Sequence, residues 1–144
     1  MSGICGWLGG GVADAPQAIA GMAATLSRFD GSAVASVNFG SVAAAAAGPD
    51  TDVFQDDEQV VAVWGRARFS DAWLAELAQR NGIAHALAQG YARKRTDVFA
   101  VLSGNFALAI LDGRSGEAVL AIDRMGTRPL CYGVAGDKLM FGST

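Results

Sequence analysis

Few residues in this chain are of the types that carry out chemistry, and their spacing narrows what that chemistry is. His85 is the single histidine. It falls in a stretch of helical spacing, where a structural or surface role is expected rather than the base of a serine–histidine–aspartate triad. Cys5 and Cys131 are too few for a disulfide scaffold and read as small buried hydrophobes. Arg66 and Arg68 follow Trp64-Gly65 and read as solvated or paired with the acidic stretch 48–58. The most pointed run is Asp123-Arg124-Met125-Gly126-Thr127-Arg128-Pro129. On its own it reads equally well as a hairpin turn with a surface ion pair.

Elements must hold these residues in place, and composition bounds which. The chain has 144 residues, 51% hydrophobic and 17% charged, with a net charge of −3. That suits one domain with a sizeable core and argues against nucleic acid or an anionic membrane surface. No transmembrane or secretory segment is visible, so a cytoplasmic protein is expected. Residues Ile4 to Leu8 read as a buried strand broken by Gly9-Gly10-Gly11, and Ile19, Met22, Ala23 and Leu26 follow at helical spacing. Val34 to Phe39 and Ser41 to Ala47 read as strands, the second despite five consecutive alanines. The stretch 48–58 is expected as an acidic loop, and Gln59 to Trp64 as a strand ending at Gly65. Ser70 is the expected N-cap of a helix carrying Trp73, Leu74 and Leu77, closed by Asn81-Gly82. A helix from Ile83 to Arg93 and a short one from Asp97 to Leu102, capped by Thr96, come next. Strands at Phe106 to Leu111, Ala118 to Ile122, Pro129 to Val134 and Leu139 to Phe141 read as an antiparallel meander. Helices in the middle with strands at both ends predict an α+β sandwich.

Four segments, in order, resemble class II glutamine amidotransferase domains. Ser103-Gly104-Asn105-Phe106-Ala107-Leu108-Ala109-Ile110-Leu111-Asp112 resembles the family's Gly-x-Phe-Ala-Phe-Ala-x-x-Asp strand. The segment from Asp123 to Tyr132 resembles Asp-Arg-x-Gly-x-Lys/Arg-Pro-Leu-Tyr-Tyr, and Lys138 to Ser143 resembles x-Leu-x-Phe-Ala-Ser. Met1-Ser2-Gly3-Ile4-Cys5-Gly6 resembles the opening Met-Cys-Gly-Ile-x-Gly. The likeness spans 1–144 and is greatest to the N-terminal domain of asparagine-synthetase-like enzymes. It implies an αββα N-terminal-nucleophile sandwich of two antiparallel sheets flanked by helices. In that fold the first residue of the mature chain is the nucleophile and its α-amine takes up the proton.

What the resemblance implies for the site is carried over position by position. The nucleophile, Cys in active relatives, is Ser2, which methionine removal would expose. Serine is harder to ionise than cysteine. The oxyanion pair, Asn-Gly in active relatives, is Trp64-Gly65, so the side-chain amide is missing. The arginine that grips the substrate carboxylate falls at Ala44, within Gly40-Ser41-Val42-Ala43-Ala44. The acid that holds the substrate ammonium falls within Asn81-Gly82-Ile83-Ala84-His85, which has no carboxylate.

Scaffold motifs kept and four functional positions changed imply a degenerate glutaminase domain. Its expected partner is an ATP-dependent, amide-forming synthetase domain or subunit, whose phosphate-binding loop does not appear in these residues; the chain then reads as a fragment or split subunit. An active Ser2 amidohydrolase, with an apolar pocket of Trp64, Phe39 and the alanine strand, is the alternative, so whether the domain is an enzyme stays open. A self-standing interaction module or homo-oligomer is a third reading. No metal, organic cofactor or nucleic acid is expected on this chain.

Overall fold

The computed structural model describes residues 3–9, 20–22, 24–25, 34–39 and 41–143. Strand β1 (Gly3–Leu8) is buried along its whole length, flanked by β3 (Val42–Ala47) and β9 (Lys138–Gly142). With the edge strands β2 (Val34–Phe39) and β8 (Cys131–Ala135) they form a sheet of order β2-β3-β1-β9-β8. The second sheet has the order β4-β5-β6-β7, from β4 (Thr51–Gln55), β5 (Gln59–Phe69), β6 (Leu102–Asp112) and β7 (Ala118–Ile122). Every pairing is antiparallel.

The two sheets stack through side chains that alternate along each strand. Ile4, Leu8, Val42, Ala44 and Ala46 meet Val60, Ala62, Trp64, Ala107, Ala109 and Leu111 between the sheets. The opposite faces of β5 and β6 turn Val61, Val63, Leu108 and Ile110 toward helices α1 (Ala72–Asn81) and α2 (Ile83–Lys94). Outside the first sheet, Met22 packs on Cys5, Trp7, Ala43, Ala45 and Ala47, and residues 20–22 and 24–25 are helical. Helices on both outer faces make the expected αββα sandwich. The remainder of the helix expected around Ile19 to Leu26 lies outside the described residues.

The alanine run is a strand because both of its faces are covered. Ala43–Ala47 are at most 2% exposed, and small side chains let the layers approach closely. Gly6 serves the same end, since a Cβ there would meet the Ala43 carbonyl and stand 2.8 Å from the Phe141 ring.

Several local expectations are corrected. Within the expected acidic loop, Thr51–Gln55 is a strand, with Thr51 and Val53 on the inward register of Trp64 and Ala62. Strand β5 runs on through Gly65 to Phe69, paired along its whole length with β6. The cap of α1 is Asp71, whose carboxylate accepts from the Leu74 amide at 3.1 Å. The Ser70 hydroxyl donates to the Val101 carbonyl instead. Residues Arg95–Val101 form a 3-10 segment that contains Thr96, so Thr96 is not its cap. The C-terminal strands are not one meander: β6–β7 belongs to one sheet and the β8–β9 hairpin to the other.

Candidate functional site

Ser2, the expected nucleophile, lies outside the described residues, and β1 begins at its neighbour. Gly3, the next residue, pairs with Ala47, the last residue of β3. Beside it, the Ile4 amide donates to the Ser143 hydroxyl at 3.1 Å, and Ser143 returns its amide to the Ile4 carbonyl at 3.0 Å. From Ala47 the chain turns through residues 48–50 into β4, whose Thr51 pairs with Trp64. Gly65 in turn pairs with Phe106. One end of the sandwich thus gathers the start of β1, Trp64-Gly65 and the loop that follows β7.

At that end both residues expected at the oxyanion position are engaged. Trp64 points between the sheets, 9% exposed, with the Arg128 guanidinium over its ring at 4.8 Å. Gly65 has φ +113°, and a Cβ there would strike the Asn105 carbonyl. Its N–H donates to the Asp50 carbonyl at 2.7 Å. An oxyanion needs donors aimed at it, and this one is already engaged.

The residue expected at the clamp position is elsewhere. Ala44 lies in mid-strand, paired with Gly6 and Val37, fully buried between the sheets. Three residues of strand separate Gly6 from Gly3, about 10 Å. No cationic group could reach substrate from Ala44 without being sunk in the core. The segment from Asn81 to His85 forms the α1–α2 junction on the outer, helical face of the second sheet. There Asp52 accepts from the Ala84 amide at 3.0 Å, and His85 rests against Phe54 with ring centroids 4.6 Å apart. His85 therefore has the packing role expected of it. Ser2 aside, Trp64 and Gly65 are neighbours within β5, while Ala44 is not brought to them.

Electrostatics at this end belong to Asp123. Its carboxylate accepts from the Phe106 amide at 3.0 Å, the Met125 amide at 2.9 Å and the Thr127 hydroxyl at 2.7 Å. The Thr127 hydrogen bond first, then those backbone amides, hold its pKa down to about 2 against the opposing effect of burial. The acid ties the loop to β6, and Arg128 covers Trp64. Arg66 pairs with Asp50 at 3.1 Å, as its acidic surroundings suggested. Burial pushes the Cys5 thiol up to about 11, which leaves it inert as a thiolate. Cys131, by contrast, is exposed rather than interior.

A cavity of about 290 Å³ lies outside the first sheet, with Cys5, Met22, Cys131, Tyr132, Met140 and Ser143 in its wall. Trp64 and the alanine strand, expected to line a hydrolase pocket, are not part of it, and the Phe39 side chain lies outside the described residues. Sequence reading missed Asp50 as an anchor. Asp50 contributes a backbone carbonyl, which no residue type announces. Among the described residues no three His, Cys, Asp or Glu side chains group to hold a metal, and no helix is long and apolar enough to cross a membrane.

Comparison with known proteins gives two findings. Residues 75–144 match the family model of a glutamine amidotransferase domain, whereas no curated protein matches by sequence. Solved structures share the fold, among them these two. One is an allosteric regulatory enzyme of purine biosynthesis, with a TM-score of 0.65 and 18% identity over 98% of this chain and 41% of that one. The other is glutamine phosphoribosylpyrophosphate amidotransferase from B. subtilis complexed with ADP and GMP, with a TM-score of 0.62, 18% identity and the same coverage. The chain spans about two fifths of the length of the structures it matches.

Proposed function

From the class II glutamine amidotransferase domain that the family match and the fold support, we propose that this chain is a degenerate glutaminase domain. It acts mainly through contact with an asparagine-synthetase-like, ATP-dependent amide-forming domain or subunit. Such a parent enzyme draws its amine from free ammonia or from an amine on its own substrate. The observation that carries the reading is the Gly65 N–H bound to the Asp50 carbonyl beside a core-packed Trp64.

Magnitudes favour it. Removing one oxyanion donor slows acyl transfer about a hundredfold to a thousandfold, and here neither the side-chain nor the backbone donor is offered. Without a charge-assisted clamp, substrate binding loses about 1.5–3 kcal/mol more. A serine in place of a thiol at Ser2 is a weaker nucleophile at neutral pH. These changes compound, because they act on one reaction.

The experiment is a glutaminase assay on the Met1-processed protein beside its Ser2→Cys variant. Ammonia release at the uncatalysed background is expected from both. Sustained turnover by the unmodified protein would establish the Ser2 amidohydrolase instead. Turnover confined to Ser2→Cys would mean that only the nucleophile has been lost.

A further inference from the structure

Sulfur is gathered in one place. The chain has two cysteines and four methionines, and Cys5, Cys131, Met22 and Met140 all lie in the wall of the cavity of about 290 Å³ outside the first sheet. Strand register explains the gathering. Cys5 and Cys131 both pair with Gly142, from opposite sides of β9. Directly paired residues share a face of the sheet, so both thiols stand on its outer face with only a glycine between them. Met140 pairs with Trp7 and Gly133 and stands on that face one row along, diagonal to each cysteine. Diagonal neighbours are about 7–8 Å apart, a gap that a long side chain spans. Met22 packs on Cys5 and Trp7 from the helical segment above them. Two strand spacings part the cysteines by about 10 Å, too far for a disulfide, and both thiols are free.

We propose that this cavity binds a soft monovalent cation of the Cu(I) type, held by the Cys131 thiolate and the Met140 and Met22 thioethers. Donor chemistry and charge select it. Thiolate and thioether sulfur favour Cu(I) over harder ions, and among the described residues no carboxylate or imidazole lines the cavity. On binding, the Cys131 S–H bond gives way to an S–Cu bond and the proton leaves to solvent. One thiolate and one Cu(I) sum to zero charge, which an apolar wall tolerates. Zn(II) in the same set would leave a positive charge uncompensated. Cys131 supplies the thiolate because it is exposed and meets the cation first, while Cys5 is 4% exposed and burial holds its thiol protonated. One ion does not reach both cysteines, since their side chains rise off the sheet about 10 Å apart. The site runs against the expectation of a chain without metal, because the methionines that complete it look like core residues in the sequence. It lies outside the first sheet, away from Trp64-Gly65, and stands or falls separately from the glutaminase reading.

The test uses the whole chain, reduced and free of oxygen, with ¹³C-methyl methionine and Cu(I) supplied as its bicinchoninate complex. One equivalent of Cu(I) should leave the chromophore for the protein. The Met22 and Met140 methyl resonances should shift, while that of Met125, 85% exposed, stays in place. Cys131→Ser should weaken uptake about a hundredfold and Met140→Leu, which keeps the volume, about tenfold. Cys5→Ala should leave uptake unchanged, and excess Zn(II) should not displace the Cu(I). No uptake by the unmodified protein overturns the proposal. Uptake with the Met22 and Met140 methyls unmoved also overturns it, by reducing the site to a surface thiol. So does uptake that survives Cys131→Ser, or that is lost in a Cys5→Ala protein whose methyl spectrum is otherwise native.

Discussion

Two regions at the same end of the sandwich touch through Arg128 and Trp64 yet have opposite characters. In the loop after β7, Asp123 holds three backbone or hydroxyl donors and Gly126 takes a positive φ, so the carboxylate fixes the loop's shape and ties it to β6. At the Trp64-Gly65 corner of β5, groups that in a working amidotransferase would face substrate are directed inward, to the core and to the Asp50 carbonyl. Residues that fix architecture can be kept with no substrate to bind. On the proposed reading, residues that would act on a substrate have become packing material.

The contrast can be broken at several points. Gly65→Ala should have the largest effect, about 3 kcal/mol or more of stability lost in urea unfolding, because it combines a positive φ with a collision against the Asn105 carbonyl. Trp64→Asn, which writes the active relatives' residue into the corner, should cost about 3 kcal/mol by emptying part of the inter-sheet core. It should restore no glutaminase activity. A loss under 1 kcal/mol would mean that the corner is not packed as described.

Acid separates the two regions further. The folded-state pKa of Asp123, about 2, lies below its unfolded value, so the unfolded chain binds the proton more readily. Its contribution is therefore fully present above about pH 4 and fades as pH falls toward 2. Asp123→Asn should lower thermal stability at neutral pH and flatten its dependence between those values, which differential scanning calorimetry would record. Gly126→Ala should have the smallest effect, about 1 kcal/mol. A Cβ there comes no nearer than 3.8 Å to the Ile122 side chain, so only the left-handed backbone resists it.

How much of this was legible depended on whether a residue's role was written in its own type. The β-branched run from Gln59 to Trp64 announced a strand and the helical spacing of Trp73, Leu74 and Leu77 a helix, and both elements are found. Strand β4 was hidden because Asp52, read as part of a solvated loop, caps the α1–α2 junction through the Ala84 amide. Gly65 looked like a strand end, yet its open side lets β6 approach and the strand continue. Ser70 and Asp71 are both competent caps, and spacing alone does not choose between neighbours. At the site, the missing amide at Trp64 was visible in the sequence. The engagement of the Gly65 N–H was not, because its partner is a main-chain carbonyl brought close by the 48–50 turn.

That engagement can be watched directly. In a ¹⁵N-labelled sample the Gly65 amide should exchange slowly with solvent and keep its chemical shift as glutamine is added to saturation of any plausible site. A Gly65 resonance that exchanges freely and moves saturably with glutamine would mean the donor is offered to substrate, and the degenerate reading would be wrong.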